Sequence, residues 1–398
     1  MAANTKINTS QPSVANFNSA TILNEIVAQA TGKNPITAIE TASFVSVANT
    51  ANGIATDALL GAITQVLSRT IFSIRPYSRK FKGLYMDSQR FGNHTRKLNI
   101  ADSDWNKDQR YDLTDGNSVD DQIVKKPNVL QTNFYGQNIF ERQATIFKDQ
   151  LDIALSSAEE FQRFITMVVT NASDQIEQAH ESTARMTLAN FIGGKVKGDT
   201  ANVYKLVTIY NDVAGTALDT ATVRKPENFV PFMKWAVGFI KTISDRMTNR
   251  SQKFHINVTG KEISRHTPYN KQKLYLYSEL LNDIDASVMT SIFNDEYLKF
   301  AEHERVAYWQ SIDSPDGIKV IPSYLQPGGT VKVETEELAV ADIFGVLFDE
   351  EAVGITTYGE WSAPSPVNAR GGYSNIFWHF NDRYFNDFTE NGVVFLLA

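Results

Sequence analysis

The sequence predicts an α+β protein, and three observations indicate this class. A helical pattern over residues 156–194 is the longest in the chain. Strand-like segments with a period of two follow it and become frequent toward the C-terminus. Aromatic residues, mostly Phe and Tyr, make up 11% of the chain, which favours folded, sheet-rich parts over disorder. We therefore expect one long helix combined with several sheets.

Length, charge and composition exclude several classes of protein. A chain of 398 residues is too long for one ordinary core, so we expect two or three subdomains. A formal net charge of -7 argues against a protein that wraps nucleic acid. The absence of cysteine removes disulfides, thiolate nucleophiles and sulfur-ligated zinc. We expect neither a signal peptide nor a membrane span, because no run of about 18 apolar residues occurs.

The first part of the chain is predicted to be an arm followed by a basic segment. Residues 1–55 are rich in Ala, Thr, Asn and Ser, so we expect an extended arm that is ordered only by lying on something else. Helical spacing returns over residues 56–71. A basic run follows and consists of Arg75, Arg79, Lys80 and Lys82.

After this basic run, the pattern predicts a long projecting β-hairpin with strands over 95–100 and 128–135 and an Asp-rich stretch between them. The root and the tip of such a hairpin are far apart. A basic root and an acidic tip are therefore complemented only if the tip reaches another copy of the chain. The predicted subunit interface comprises Arg75, Arg79, Lys80, Lys82, Asp102, Asp104, Trp105, Asp108, Asp120 and Asp121.

The helix over 156–194 has a recognisable start and a predicted end. Ser156 or Ser157 is expected to cap its N-terminus, and Gly193 with Gly194 is expected to end it. Apolar residues recur at steps of four and three and form one stripe along the helix. At 1.5 Å per residue the helix is roughly 55 Å long. A helix of this length is more often a structural rod than the wall of an active site.

The remaining pattern predicts strands alternating with helices, then a closing aromatic β-segment. The predicted strands are 203–210, 254–258, 306–310, 318–324, 343–348, 375–388 and 393–397. The predicted helices are one opened by Pro226 and one over 287–300.

A search for chemistry finds no catalytic, cofactor or metal site. His180 and Glu181 begin a zinc-binding pattern on the long helix, but position 184 is Ala where a second His is required, so we expect a surface histidine. The Asp-rich stretch lacks the spacing of a calcium loop and is expected to be a solvated acidic loop. No nucleophile elbow or dinucleotide fingerprint occurs.

The order of these segments resembles the major capsid proteins of tailed bacteriophages, which have the Hong Kong 97 fold, and is most similar to the short-tailed phi 29 type. The similarity is spread over residues 70–398. It is carried by Lys126-Pro127-Asn128-Val129, by the run 137–143 with Leu151 leading into the helix at Ser156, and by the ending 375–397.

The resemblance implies a domain organisation for the chain. Residues 1–55 are the N-terminal arm, and residues 84–131 are the extended loop that overlaps the adjacent subunit. Residues 56–83, 132–199 and 336–398 are the peripheral domain, which contains the long (spine) helix 156–194. Residues 200–335 are the axial α/β domain, around which hexamers and pentamers close.

The resemblance also implies partners and a location. The implied protein is not an enzyme. It is a structural subunit that self-assembles as hexamers and pentamers into an icosahedral shell around double-stranded DNA, which it touches weakly and without sequence specificity. Portal, scaffold, decoration or head-fibre proteins are implied partners, the virion is the implied location, and the cytoplasm of the bacterial host is the place of assembly. Some family members crosslink a loop lysine to a neighbour; Lys97, Lys107 and Lys125 are available, and nothing singles one out.

Three alternatives stay open at this point. An encapsulin-like nanocompartment shell would share the fold and would be favoured by a cargo enzyme encoded nearby. A cytosolic α/β enzyme would need a convergent cluster of perturbed ionisable groups in a pocket. A tail or portal component would form a single ring instead of a closed shell.

Overall fold

The computed structural model describes residues 77–87, 95–103, 108–119, 122, 124, 126–154, 158–287 and 303–398. The predicted arm over 1–55 and the helical pattern over 56–71 lie outside these residues. The predicted helix over 287–300 also lies outside them, apart from its first residue.

The described helices and strands confirm a mixed architecture. The helices are α1 (Lys148–Ala154), α2 (Ala158–Gly198), α3 (Leu206–Ala214), α4 (Thr220–Val223), α5 (Pro226–Met247) and α6 (Ser278–Ser287). The strands are β1 (Tyr85–Met86), β2 (Thr95–Ile100), β3 (Val129–Phe134), β4 (Gln137–Phe147), β5 (Val203–Lys205), β6 (Gln272–Tyr277), β7 (His303–Val306), β8 (Ile318–Val320), β9 (Ser323–Leu325), β10 (Val331–Val333), β11 (Leu338–Val340), β12 (Ile343–Asp349), β13 (Val353–Pro364), β14 (Tyr373–Asn386) and β15 (Gly392–Leu396). No helix in this part of the chain is long and apolar enough to cross a membrane.

The described part of the chain forms two compact units. The smaller unit contains residues 77–80, Ile139–His180 and Gly359–Asn381. The larger unit contains Phe81–Asn138, Glu181–Tyr358 and Asp382–Ala398. The division into arm, peripheral domain, extended loop and axial domain stays a prediction.

The long helix α2 lies where the sequence predicts it, but the predicted end is wrong. Gly193 and Gly194 do not end the helix, which continues to Gly198. A Cβ at Gly194 would collide with the ring of Phe388, and one at Gly198 would collide with the ring of Tyr324. Glycine is required here for close packing, and within a helix it costs only about 1 kcal/mol relative to alanine.

The core of the larger unit is built on a five-stranded sheet of order β5-β15-β12-β6-β7. β12 pairs antiparallel with both β15 and β6. Every residue of β12 and β15 is buried, as expected for short, continuous apolar runs. Tyr275 of β6 stacks on Phe348 of β12 with ring centroids 5.6 Å apart. Helix α5 contributes Phe232, Met233 and Ile240 to the same core.

A second sheet has the order β1-β13-β14-β4. Over residues 373–382 of β14 half-buried and buried side chains alternate, because successive residues of a strand point to opposite faces. Ile376, Trp378 and Phe380 are fully buried, whereas Phe377 and His379 between them are half-buried. One face of this strand is therefore core.

The predicted hairpin is present. β2 and β3 pair antiparallel from Thr95 opposite Phe134 to Ile100 opposite Val129. These bounds agree with the predicted strands over 95–100 and 128–135 within one residue at either end. We call β2, β3 and the chain between them the hairpin.

Some local predictions are wrong. The strand predicted over 203–210 ends at Lys205, after which the chain forms α3. The segment 254–258 alternates in polarity, yet it forms only an isolated bridge from Val258 to Lys261. The strand predicted over 306–310 lies earlier, at β7, and the one over 318–324 is divided into β8 and β9. Pro322 explains this division, because proline has no N–H for a sheet ladder.

Candidate functional site

The structure describes half of the predicted interface residues. Those described are Arg79, Lys80, Lys82, Asp102 and Asp108. Those outside the described residues are Arg75, Asp104, Trp105, Asp120 and Asp121. The subunit interface itself stays a prediction, but the described residues show what each side chain does within one chain.

The end of the basic segment lies against α2. The backbone N–H of Tyr77 donates to Asp174 Oδ1 at 3.1 Å, and that of Arg79 donates to Glu177 Oε2 at 3.3 Å. The Nε atom of Arg79 lies 4.0 Å from the same Glu177 oxygen. Glu177 is buried, so its carboxylate needs these partners. Lys82, by contrast, is exposed.

Asp102 stands where the chain leaves β2, and it holds this end of the hairpin on the body of the same subunit. Its carboxylate accepts a hydrogen bond from the backbone N–H of Ser264 at 2.7 Å and pairs with Arg250. The hydrogen bond from Ser264, supported by the positive charge of Arg250, lowers the pKa of Asp102 below its usual value.

The start of β3 is attached to the same region of the body. Asn128 Nδ2 donates to the carbonyl oxygen of Gly260 at 2.6 Å. Lys261 Nζ donates to the carbonyl oxygen of Val129 at 2.9 Å. Both ends of the Asp-rich stretch are therefore fixed by contacts with residues 250–264 of the same chain.

A second attachment lies further along β2, and the sequence reasoning missed it. Lys97 Nζ lies 2.5 Å from Glu390 Oε1, 2.9 Å from Glu351 Oε2 and 3.3 Å from Asp387 Oδ2. Arg265 Nη2 lies 3.0 Å from the same Glu390 oxygen. Asp387 and Glu390 are buried, and Glu351 is exposed. We call these five residues the carboxylate cluster.

The carboxylate cluster keeps Lys97 positively charged. Burial alone would lower the pKa of this lysine, but the negative charges of Asp387 and Glu390 outweigh burial and raise its pKa. Burial raises the pKa of Glu390, and the charges of Lys97 and Arg265 oppose that shift. Lys97 in this arrangement therefore binds the carboxylates by charge. Lys107 and Lys125 lie outside the described residues.

Asp108 has a local role. Its side chain accepts from the backbone N–H of Arg110 at 3.0 Å and caps a short 3-10 turn over Gln109–Asp112. Arg110 Nη2 lies 2.7 Å from Asp108 Oδ2, and both side chains are exposed. An exposed pair of this kind contributes little stability.

Comparison with known proteins now decides the family. The family model described as Phi29-like phage major capsid protein matches residues 21–396. The chain belongs to this family. Comparison with curated protein sequences finds no match.

Solved structures agree with the capsid assignment at the level of the fold. The capsid structure of Staphylococcus phage Andhra is 10% identical, covers 82% of this chain and 86% of its own, and gives a TM-score of 0.52. A chain from the structure of the head fibre and inner core protein gp22 of native bacteriophage P68 is 11% identical, with coverages of 82% and 86% and a TM-score of 0.53. The predicted α+β fold of the Hong Kong 97 type is confirmed.

The capsid protein is thus a structural protein of the phage head shell, located in the virion and associated with copies of itself. Among the residues that the structure describes, no group of His, Asp and Glu is arranged to hold a metal ion.

The position of His180 on the long helix differs from the prediction. The sequence predicted a surface histidine, but His180 is buried. Its ring packs edge-on against Phe140 and Phe380, with centroids 5.4 and 5.5 Å away. Its Nε2 atom lies 3.9 Å from Glu360. The side chain fills the core between α2 and its sheet.

A buried polar network lies beside the carboxylate cluster and was also missed. His255 Nδ1 lies 3.0 Å from Asn391 Oδ1, and its Nε2 lies 2.7 Å from the carbonyl oxygen of Ile263. Asn391 in turn donates to Thr267 Oγ1 at 3.1 Å. Burial lowers the pKa of His255, although its two hydrogen-bond partners favour the charged ring. This network fixes the turn that carries Glu390.

Proposed function

We propose that the capsid protein assembles as hexamers and pentamers into an icosahedral shell around double-stranded phage DNA, and that its extended loop, residues 84–131, overlaps the adjacent subunit. Family membership supports the shell. The proposed overlap rests on one observation about the hairpin, which is the direction of its apolar side chains.

The hairpin turns Lys97 inward and three apolar side chains outward. Lys97 enters the carboxylate cluster, while the neighbouring Leu98 and Ile100 are 55% and 67% exposed. Val129, paired directly with Ile100 across the strands, is 42% exposed. An isolated subunit therefore presents contiguous apolar side chains to water, and such surfaces mark sites of protein association.

The chain between the two strands adds further exposed apolar side chains. Among its described residues these are Tyr111, Leu113, Val119 and Val124. Because both ends of this stretch are fixed to the body, the exposed residues are presented from a defined base. Ordering the base in advance reduces the entropy lost when a second subunit binds.

The proposal also covers the charge of the subunit, its partners and its place of assembly. The predicted interface residues pair a basic root with an acidic tip on the next subunit. A net charge of -7 suits a container that holds DNA through weak, non-specific contacts. Assembly in the host cytoplasm, attachment of portal, scaffold, decoration or head-fibre proteins, and the absence of catalysis complete the proposal. Family membership does not favour the nanocompartment or the enzyme.

The experiment is electron microscopy with mass determination on the protein, expressed alone and then with its neighbouring genes. Closed shells or free hexamers and pentamers are expected. A variant that carries L98S and I100S is expected to remain unassembled at concentrations where the wild type assembles, with an unchanged circular dichroism spectrum. A wild-type chain that stays a monomer or dimer under both conditions would refute the proposal.

A further inference from the structure

The sheet of the smaller unit has one face in the core and one face in solvent. β4 and β14 both alternate, so alternate residues share a face. On the inner face, Phe140 stacks on Phe380 at 5.1 Å, and His180 of α2 packs against both rings. This face is occupied by the long helix. The opposite face has no covering element among the described residues of this unit.

That opposite face is unusually aromatic. Trp361 of β13 is 58% exposed and stacks on His379 of β14 with ring centroids 3.9 Å apart. Phe377 continues the row, with its ring 6.4 Å from that of His379. A sheet face in contact with water normally carries polar side chains. We call this set, with the additional members Ile139, Phe147 and Tyr373, the aromatic face.

The strand at the edge of the sheet extends the aromatic face. Ile139 of β4 is 68% exposed, and Phe147 at its other end is 44% exposed. Phe147 packs on Tyr373 of β14 at 5.7 Å. Between them Glu141 lies 3.3 Å from the Nδ1 atom of His379 and fixes the orientation of that ring. Trp361 therefore rests on an ordered support, which lowers the entropic cost of using it in an interface.

We propose that the aromatic face is a contact surface for a second copy of this chain, with Trp361 as its central anchor. This inference rests on the proposed shell function. Tryptophan is the residue most enriched among side chains that dominate binding energy, and a polar rim such as Glu141 provides is typical around it.

Two observations select a second copy over other occupants. A shell displays this face once per subunit, and a second copy of the chain is available to cover each one. The chain also supplies exposed apolar side chains suited to such a face, among them Tyr111 and Val124, each 80% exposed. Nucleic acid is disfavoured, because Glu141 places negative charge at the face.

The test compares three variants of the full chain during assembly: Trp361→Ala, Trp361→Phe and Ile153→Ala. Ile153 is the control, because it is 67% exposed on α1 of the same unit and lies outside the aromatic face. The lowest concentration at which particles form is expected to rise about tenfold or more for Trp361→Ala, less for Trp361→Phe, and less than about twofold for Ile153→Ala.

A second readout on the wild type avoids dependence on a variant that misfolds. Oxidative footprinting with peptide mass spectrometry measures the solvent access of Trp361 in free subunits and in particles made from this chain alone. Strong protection in particles is expected. Equal oxidation in both, or protection that needs another gene product, would overturn the inference while leaving the shell function intact. A wild-type chain that never assembles would overturn both.

Discussion

Lys97 shows how one side chain sets the orientation of an entire hairpin. A strand has two faces, and the period of two only determines which residues share one. Both faces of the hairpin carry apolar side chains: Leu98 and Ile100 face outward, and Phe134 faces inward with its ring 5.2 Å from that of Phe385. The buried carboxylates of Asp387 and Glu390 require a cation, and this requirement favours the face that carries Lys97.

Replacement of Lys97 by methionine should therefore destabilise the folded subunit. Removing one partner of a buried ion pair costs about 3–5 kcal/mol. We expect a loss near 3 kcal/mol, because Arg265 still faces Glu390 in the variant. Chemical denaturation of unassembled protein measures the loss, and Lys126→Met is the control because Lys126 is exposed on the same hairpin. Equal midpoints for the two variants would show that the carboxylate cluster contributes nothing.

His255 should make stability depend on pH. Burial lowers its folded-state pKa below the unfolded value of 6.5. Below that pH the unfolded chain binds a proton that the folded chain does not, so stability falls as the pH decreases from about 7.5 to about 5.5. The slope from one such group is at most about 1.4 kcal/mol per pH unit.

Thermal unfolding at a series of pH values measures this dependence. The variant His255→Gln should show a shallower decline than the wild type, and the same change at exposed His266 is the control for replacing a histidine. Identical slopes in all three proteins would mean that the buried ring titrates normally.

Single-residue roles were the least predictable part of the molecule. The sequence identified Lys97 only as one of three available lysines, and it placed His180 on a surface. Both assignments depend on which element covers the residue, and a helix or strand pattern does not contain that information. The residues that bind Lys97 lie more than 250 positions away in the chain, so no local spacing joins them.

At the scale of elements, the sequence of the long helix reflects close packing of other side chains against its glycines as much as its apolar periodicity. Its glycines admit the rings of Phe388 and Tyr324, which belong to the larger unit together with this end of the helix. Gly194→Ala should destabilise the protein by about 1–3 kcal/mol, because an added Cβ overpacks the contact with Phe388.

Gly238 in α5 is the matched control. Nothing lies within 4 Å of the position that its Cβ would take. Gly238→Ala should therefore stabilise the protein by about 0.5–1 kcal/mol through helix propensity. Denaturation midpoints of the two variants should move in opposite directions. A shift in the same direction would contradict the packing role of Gly194.

Elements with a continuous apolar run or a regular apolar stripe were predictable, and elements without one were not. β12 and β15 have such a run and α5 has such a stripe, and all three follow the predicted positions. The segment 203–210 was predicted as one strand, but its second half forms α3 because tertiary packing overrides a weak β preference. Likewise, Gly193 and Gly194 match the sequence signal of a helix stop. The helix continues past them, and glycine occurs there because other side chains pack closely against the helix.

At the scale of the whole molecule, the shell and its fold follow from the order of segments, but the contacts between subunits do not. Asp102 and Arg79 were predicted to face other subunits, and the structure gives both of them partners within their own chain. The subunit interface stays a prediction for the whole set of charges at the basic root and the acidic tip.

A charge exchange between two subunits tests that interface. One variant carries glutamate at Arg75, Lys80 and Lys82, and the other carries lysine at Asp104, Asp120 and Asp121. Each variant alone places like charges at every root-to-tip contact, so neither should assemble. A mixture should form rings in which the two alternate, because each tip then meets a root of opposite sign. Alternation closes in a ring of six but not in a ring of five. The mixture should therefore give hexamers, flat sheets or tubes and no closed icosahedral shells in electron micrographs.

A mixture of wild type with uncharged variants, made by substituting Gln or Asn at the same positions, is the control and should show no such alternation. Normal shells from either charged variant alone would show that the root and the tip do not meet.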